Sequence, residues 1–317
     1  MADLPAVDIT LGQPFDQGTG STLSRRRAPA SPVTRRLADY VALTKPRLNA
    51  LVVASSAAGY YLGARMPIDV VDMAQAVAGT ALVAAGAAAL NQFAERDTDA
   101  MMRRTQTRPL PARHLTPFDA FMFGLVLSAA GLAVLALTVT MMAAALAFAT
   151  LVVYLGVYTP MKRRTPWSAL VGAVPGALPP LIGWSASHGH IAAGGAALFA
   201  IVFLWQIPHF MAIAWLCRDD YGKAGLPMLP VLDPDGRRTG RTAVGYAVAL
   251  VPASLVPWAI GMTGLWYAAA GVALGVGLVW LAVRFATRRN DVTARALFLG
   301  SIVYLPILWI VMIVNRQ

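Results

Sequence analysis

Long apolar stretches, separated by short polar or charged segments, follow one another along almost the whole chain. A helix of about 20 apolar residues is long enough to cross a bilayer. The pattern therefore predicts an all-α polytopic membrane protein with nine transmembrane helices in a single bundle, and it leaves no apolar stretch for a soluble domain. The predicted spans are residues 46–64, 72–93, 117–137, 140–159, 168–186, 194–216, 243–261, 265–284 and 294–314.

Composition agrees with this pattern, and one segment departs from it. The 317 residues are 57% hydrophobic and only 13% charged, whereas soluble domains carry about 25% charged residues. Residues 1–36 are instead rich in Pro, Ser, Gly and Arg and contain no apolar run. We expect them to form a disordered basic cytoplasmic tail, with residues 37–317 forming the intramembrane domain.

The basic residues are distributed unevenly between the two sides of the predicted bundle. Except for Arg65 and Arg316, all 26 Lys and Arg lie in the first 47 residues or near the ends of the second, fourth, sixth and eighth predicted spans. Positive residues mark the cytoplasmic side of membrane proteins. The net charge of +11 therefore indicates topology rather than nucleic-acid binding: it predicts a cytoplasmic N-terminus, a C-terminus outside, and a functional cavity on the cytoplasmic side, where the long loops lie.

The first candidate motif follows the second predicted span. Asn91, Glu95 and Asp99 are spaced by four residues, so on a helix their side chains lie on one face. Oxygen ligands of this kind suit Mg²⁺ held together with substrate phosphates, and the arginines that follow suit phosphate oxygens. The alternative is a solvated charged turn that only sets topology. Glu95 is the only glutamate of the chain.

Two further charged segments end predicted spans. Asp219 and Asp220 follow the sixth span, where carboxylates oppose the helix dipole, and a second Mg²⁺ would relieve this; unrelated charges at a helix end are the alternative. Lys162 follows the fourth span, close to Tyr158. It either complements the helix dipole and marks the cytoplasmic side, or binds phosphate if it lies in the same site as the acids.

Two predicted spans contain unusual residues. The fifth carries Pro175, Pro179 and Pro180 among glycines, which predicts a helix kinked beside a cavity. The sixth carries the segment WQIPHF in mid-span, where polar side chains face a bundle interior. Its His209 is either a hydrogen-bonded core residue or a contact for a porphyrin iron or propionate.

These strings resemble a known family. NQFAERDTDAMMRRTQTRPLP is similar to the N-x-x-x-D-x-x-x-D motif of the UbiA superfamily of intramembrane prenyltransferases, with Glu95 in place of the middle aspartate. Together with YTPMKRRTPWS, WQIPHF and DDYGKAGLPMLP, it resembles the branch that farnesylates protoheme IX. The resemblance runs from about Lys45 to the C-terminus. The superfamily's second motif, D-x-x-x-D, is absent, because the residues four positions from Asp219 are Trp215 and Lys223.

The resemblance implies transfer of farnesyl from farnesyl diphosphate to the 2-vinyl group of haem B, with addition of water, giving haem O. It implies Mg²⁺ as cofactor, a bacterial inner-membrane location, contact with membrane lipid, and haem A synthase or an oxidase-assembly protein as partner. A prenyltransferase for a quinone precursor and a transporter of an anionic lipid are the alternatives. The implied metal ligands are Asn91, Glu95, Asp99, Asp219 and Asp220, and the implied catalytic set adds Lys162 and Tyr158. The implied ligands of the diphosphate are Arg104, Arg108, Lys162 and Lys223. The implied haem contacts are His209, Gln206 and Trp205, and Tyr158 or Trp205 would stabilise the allylic cation.

Overall fold

The computed structural model describes residues 32–317, which form an all-helical bundle. The helices are α1 Pro32–Leu43, α2 Pro46–Gly63, α3 Val70–Ala100, α4 Pro117–Val134, α5 Met141–Leu151, α6 Thr159–Met161, α7 Ser168–His188, α8 Ala193–Leu216, α9 Arg218–Lys223, α10 Leu229–Leu232, α11 Arg237–Ala259, α12 Leu265–Arg288 and α13 Asp291–Val314. Two π-helical segments, Leu135–Val139 and Val152–Tyr158, extend α4 and α5.

Eight helices of the described part are long and apolar enough to cross a membrane, and they correspond to the second to ninth predicted spans. The first predicted span forms α2, an 18-residue helix that is not among the eight because Arg47, Asn49 and several hydroxyl side chains make it less apolar. The prediction of an all-α membrane bundle is thus confirmed. That α2 is a ninth transmembrane helix stays a prediction.

The beginning of the described structure overlaps the predicted tail. Helix α1 begins at Pro32, so the last five residues of the segment 1–36 are helical. The other residues of that segment, including Arg25, Arg26 and Arg27, lie outside the described residues. At the end of α1, the amide of Gln92 donates to the carbonyl oxygen of Leu43 at 2.8 Å. This bond fixes the turn between α1 and α2 against α3.

Helix α3 is longer than the sequence pattern predicts. It begins after Asp69, whose carboxylate accepts from the backbone amides of Val71 and Asp72, a favourable helix N-cap. It continues to Ala100, seven residues beyond the predicted end at 93. The apolar pattern stops at the polar residues near the end of α3, but the helix persists because neighbouring segments bury one face of this polar turn. The acids of the first motif therefore do share a helix face.

Close packing between α2 and α7 brings the proline-rich helix into the centre of the bundle. A Cβ atom on Gly59 would collide with the carbonyl oxygen of Pro180, and one on Gly183 would collide with the carbonyl oxygen of Ser56. Small residues at such crossings let helix backbones approach closely in membranes. The same helix lines two cavities farther along, with Gly172, Pro175 and Pro179. The prediction that this helix lies beside a cavity is confirmed for Pro175 and Pro179, and the predicted kink stays a prediction.

Candidate active site

The acids of the first motif are buried at the end of α3. Asn91, Glu95 and Asp99 are 3%, 7% and 1% exposed, because α3 keeps its helical geometry past all three. Asp97 lies on the opposite face and its side chain is 78% exposed. A buried carboxylate is costly unless a cation or hydrogen bonds compensate its charge. The first motif is therefore not a solvated turn.

Each buried carboxylate has a cationic partner from another segment. The Nζ of Lys162 donates to both carboxylate oxygens of Glu95, at 3.1 and 3.0 Å, and Arg108 donates to Oδ2 of Asp99 at 2.6 Å. Burial alone would lower the pKa of Lys162, but the carboxylate of Glu95 raises it above its ordinary value. Lys162 therefore remains charged. The charged segment after the fourth predicted span thus shares one site with the first motif.

Hydrogen bonds outside the ion pairs hold the ends of α3 and α5 together. The amide of Asn91 donates to Oγ1 of Thr159 at 3.2 Å, and that hydroxyl donates to the carbonyl oxygen of Tyr154 at 2.8 Å. Arg163 donates to Oγ1 of Thr98 at 2.6 Å. These bonds set the position from which Lys162 reaches Glu95.

Lys45 adds a positive charge that the sequence patterns do not single out. It lies in the turn between α1 and α2, in a left-handed conformation with φ 48°. Such a conformation is strained for a residue with a side chain and occurs preferentially at functional sites. Burial lowers the pKa of Lys45 to about 8, against the opposing effect of Glu95 and Asp99. The α1–α2 turn thus contributes to the same charged cluster.

The second acidic motif approaches the first through an arginine and a tyrosine. The guanidinium of Arg104 lies 5.1 Å from the ring centroid of Tyr221, the residue that follows Asp220 in α9. Met102 packs with Tyr221 and Leu226 in one buried cluster. The two loops therefore converge at one end of the bundle.

The two aspartates of this motif lie in the first turn of α9, where the helix dipole favours carboxylates, so the prediction that they oppose a helix dipole is wrong. They also differ in burial from the acids of α3. Asp219 is exposed and Asp220 is half-buried, and Lys223 is exposed as well. Within residues 32–317, no three His, Cys, Asp or Glu side chains come close enough to hold a metal ion by themselves. The five predicted metal ligands therefore do not form one closed cage; α3 carries the compact part and α9 approaches it from the side.

Two cavities open next to the charged cluster. The Tyr158 cavity is lined by Tyr158, Lys162, Ser168, Ala169, Gly172, Phe210, Met211, Ile213, Ala214, Tyr221, Met228 and Leu229. The Tyr154 cavity is lined by Lys45, Leu48, Asn49, Val52, Ala84, Ala87, Ala88, Thr150, Tyr154, Gly172, Pro175, Gly176, Pro179, Gln206 and Phe210. Gly172 and Phe210 belong to both, and the rings of Tyr154 and Tyr158 are stacked at 5.4 Å. Each cavity is apolar and has one lysine near the buried acids.

The predicted haem contacts on α8 have different surroundings in the structure. Gln206 lines the Tyr154 cavity and its amide donates to the carbonyl oxygen of Ala173 at 3.3 Å. His209 lines neither cavity: its ring is stacked on Trp205 at 5.1 Å and its Nδ1 lies 2.8 Å from Oγ of Ser301 in α13. Trp205 donates to the carbonyl oxygen of Ser301 at 2.7 Å. The contact of His209 with the acceptor therefore stays a prediction: its ring contacts α13 through Ser301, whereas Gln206 lines the Tyr154 cavity.

With this geometry established, comparison with known proteins is informative. A model described as the UbiA prenyltransferase family matches residues 52–308. The chain belongs to the UbiA prenyltransferase family. Among UbiA-family relatives, one from Solibacter usitatus named protoheme IX farnesyltransferase is 45% identical over 287 residues, covering 88% of this chain and 98% of that one. A relative from Opitutus terrae with the same name is 44% identical over 291 residues, covering 91% and 97%.

Solved UbiA-type structures share the fold at low sequence identity. The structure of digeranylgeranylglyceryl phosphate synthase superposes with a TM-score of 0.74 at 18% identity, covering 89% of this chain and 98% of that one. A UbiA homologue from Archaeoglobus fulgidus, bound to GPP and Mg²⁺, gives a TM-score of 0.64 at 15% identity and covers 86% and 99%. Together with the family match, they establish this UbiA-family chain as a multi-pass membrane prenyltransferase.

Several cavity residues of this UbiA-family chain were missed by sequence reasoning. Lys45 lies outside the four quoted strings, and Ser168 and Phe210 end two of them, YTPMKRRTPWS and WQIPHF, but carry no charge that would single them out. Tyr154 was readable in one respect: it lies four residues before Tyr158, and the pair could have been predicted to share a face. The others need the packing of α2, α7 and α8 to be known.

Proposed function

We propose that this chain transfers the farnesyl group of farnesyl diphosphate to the 2-vinyl group of protoheme IX, with addition of water, and releases haem O and diphosphate. The observation that carries the prenyl-transfer chemistry is the buried pair of carboxylates on α3, surrounded by cations of which Lys162 and Lys45 each line a cavity. The choice of acceptor is supported by relatives of that name that match most of the chain at 40 to 45% identity.

The cluster has the charge balance that an anionic leaving group needs. Glu95 and Asp99 face four cations: Lys45, Arg104, Arg108 and Lys162. The excess positive charge favours binding of a diphosphate in a low-dielectric setting, where each fixed charge acts more strongly than in water. As the allylic C–O bond breaks, these cations stabilise the charge that develops on the leaving oxygen. Lys223 is exposed and is a candidate for the outer edge of the diphosphate site.

The residues of α3 fit a divalent cation. Asn91, Glu95 and Asp99 present oxygen atoms on one face, and Oδ1 of Asp99 is buried without a hydrogen-bond partner among residues 32–317. A hard cation with substrate phosphates as further ligands suits this incomplete set. Mg²⁺, when bound, would supply charge neutralisation at the leaving diphosphate. We propose that Asp220, with Asp219 beside it, contributes to a second ion from the α9 side.

The two cavities suit two apolar substrates. We assign the farnesyl chain to the Tyr154 cavity, which runs between α2, α3, α7 and α8 and has a nearly apolar lining. We assign the reacting edge of the porphyrin to the Tyr158 cavity, because Tyr221 and Met228 in its wall belong to the segment DDYGKAGLPMLP that resembles the haem-specific branch. The stacked rings of Tyr154 and Tyr158 lie between the two and can stabilise an allylic cation.

Topology completes the proposal. The basic loops after α3, α6 and α8 converge at the end of the bundle that carries the acids, so the positive-inside rule places this site at the cytoplasmic face. We propose a bacterial inner membrane with the N-terminus in the cytoplasm and the C-terminus outside. The product would pass to haem A synthase or to an oxidase-assembly partner.

The test is mass spectrometry of haems extracted from membranes that contain the full chain, farnesyl diphosphate, Mg²⁺ and equal amounts of protoheme IX and a quinone precursor such as a hydroxybenzoate. We expect haem O as the prenylated product. Prenylated hydroxybenzoate without haem O would contradict the proposed acceptor and indicate a prenyltransferase for a quinone precursor. Membranes carrying Glu95→Gln serve as the control for enzyme-dependent product.

A further inference from the structure

The Tyr158 cavity contains a polar group for which the chemistry described so far has no use. Ser168, the first residue of α7, is fully buried, lines this cavity, and its Oγ has no hydrogen-bond partner among the described residues. A buried hydroxyl without a partner is costly, because it has lost its hydrogen bonds to water. Most such groups in proteins are paired with protein atoms or ordered water.

The surroundings of this hydroxyl can hold water. The cavity encloses about 50 Å³, and a water molecule needs roughly 10 to 15 Å³ on this measure and two to four polar partners. Besides Ser168, its wall includes Tyr158, Tyr221 and Lys162. The remaining lining residues that face it are apolar, so these four side chains are the polar contacts on offer there. Tyr158, one of the four, is also one of the two tyrosines to which we assign stabilisation of the allylic cation.

We infer that Ser168 positions the water molecule that adds to the acceptor, so that this serine controls whether the prenylated product carries a hydroxyl group. The inference rests on the proposed function and refines it. When the terminal carbon of the vinyl group bonds to C1 of farnesyl, the C–O bond to diphosphate breaks and the inner vinyl carbon becomes cationic. The water oxygen held by Ser168 forms a bond to that carbon, and its proton passes to the released diphosphate.

Loss of the positioned water leaves the cation another outcome. Without a nucleophile in reach, the cation loses a proton from the neighbouring methylene group to the diphosphate, which gives an alkene lighter than the hydroxylated product by one water. Prenyl transfer itself does not need the Ser168 hydroxyl. A positioning role therefore changes the ratio of the two products more than the total, whereas a purely structural role changes the total alone.

The experiment compares haem products of wild type and Ser168→Ala by mass spectrometry, with ¹⁸O-labelled water to trace the added oxygen. We expect total prenylated haem within about twofold of wild type and the ratio of hydroxylated product to alkene about tenfold lower, as for loss of one hydrogen bond. Ser185→Ala is the matched control: Ser185 is a fully buried serine of the same helix that lines neither cavity and donates to the carbonyl oxygen of Ile182. It should leave the ratio unchanged.

An unchanged product ratio in Ser168→Ala would overturn the inference while leaving farnesyl transfer intact. If this variant does not fold, the pair Ser168→Thr and Ser168→Val decides: the two side chains have the same shape, and only threonine keeps the hydroxyl. A normal ratio in the threonine variant and a low ratio in the valine variant supports positioning, and equal ratios contradict it. A wild-type chain that makes no prenylated haem at all would instead contradict the proposed function.

Discussion

One acidic segment of the site lies at the end of α3 and the other in the first turn of α9, and the two differ in burial and in charge compensation. On α3, Glu95 and Asp99 are almost inaccessible and each is paired with a cation. On α9, Asp219 is exposed and Asp220 half-buried. Buried, compensated acids are costly to keep and indicate a specific electrostatic role, whereas exposed acids are well solvated. The comparison makes α3 the principal half of the site and α9 the auxiliary half.

The largest effect should come from Glu95→Gln, which keeps the side-chain shape but removes the charge. We expect haem O formation to fall by roughly a hundred- to a thousandfold at saturating substrates, since one electrostatic element of the leaving-group site is lost. Asp97→Asn is the matched control on the exposed face and should remain within about twofold of wild type. Steady-state assays at ordinary Mg²⁺ check this. Near-normal turnover in Glu95→Gln would contradict the role given to α3, provided that both variants are equally folded.

The next effect should separate the two aspartates of α9. Asp220→Asn should reduce turnover about tenfold, in the range expected for an outer residue that supports a metal site, because Asp220 is half-buried and precedes Tyr221, whose ring contacts Arg104. Asp219→Asn should change it by less than about twofold. The Mg²⁺ concentration for half-maximal rate should rise only in Asp220→Asn. The reverse order of the two variants would show that the exposed residue is the ligand.

Lys45 predicts a pH effect of moderate size. Its amine is charged below its pKa, which burial lowers to about 8, so binding of the diphosphate should weaken as pH rises through that value. Arginine has a much higher pKa, and Lys45→Arg should therefore move the alkaline limb of kcat/KM upward. The measurement is the pH profile of kcat/KM between neutral pH and the alkaline range. Identical limbs in the two proteins would exclude Lys45 from this role.

The smallest expected effect on activity concerns His209, one of the predicted haem contacts on α8. His209→Phe should leave the KM for protoheme within about twofold and lower the thermal stability, since it removes the contact with Ser301 and leaves that hydroxyl with one partner fewer. Gln206→Leu, in the wall of the Tyr154 cavity, should raise the KM for farnesyl diphosphate with little change in stability. Thermal unfolding and steady-state kinetics together distinguish the two roles. A strong rise in the KM for protoheme in His209→Phe would show that this residue contacts the acceptor.

Local patterns were sufficient to predict much of the bundle and the chemistry of its first motif. Apolar runs located the long helices, and the four-residue spacing of Asn91, Glu95 and Asp99 predicted a common face, which the extended α3 confirms. For Lys162 and Glu95, the sequence predicted only that the two could share one site. Their ion pair could not be predicted, because it depends on how the segment that follows α5 packs on α3.

Other features depend on contacts between segments distant in sequence. The charged role of Lys45 requires the turn after α1 to be fixed against α3, and no periodicity reports that. The WQIPHF segment was recognised as unusual, but its sequence does not show which of its side chains contact α13 and which line a cavity. His209, for example, contacts Ser301, which is ninety-two residues away in the sequence.

The most direct test of the central claim, that the carboxylates of α3 hold a metal-bound diphosphate, is an equilibrium binding measurement. It uses the purified full chain and a farnesyl diphosphate analogue with sulfur at the scissile position, titrated with and without Mg²⁺. We predict that Mg²⁺ tightens binding to the wild type and that Glu95→Gln loses this dependence, with a Kd weaker by about tenfold or more at saturating Mg²⁺. Equal affinity and equal Mg²⁺ dependence in the two proteins would contradict the claim.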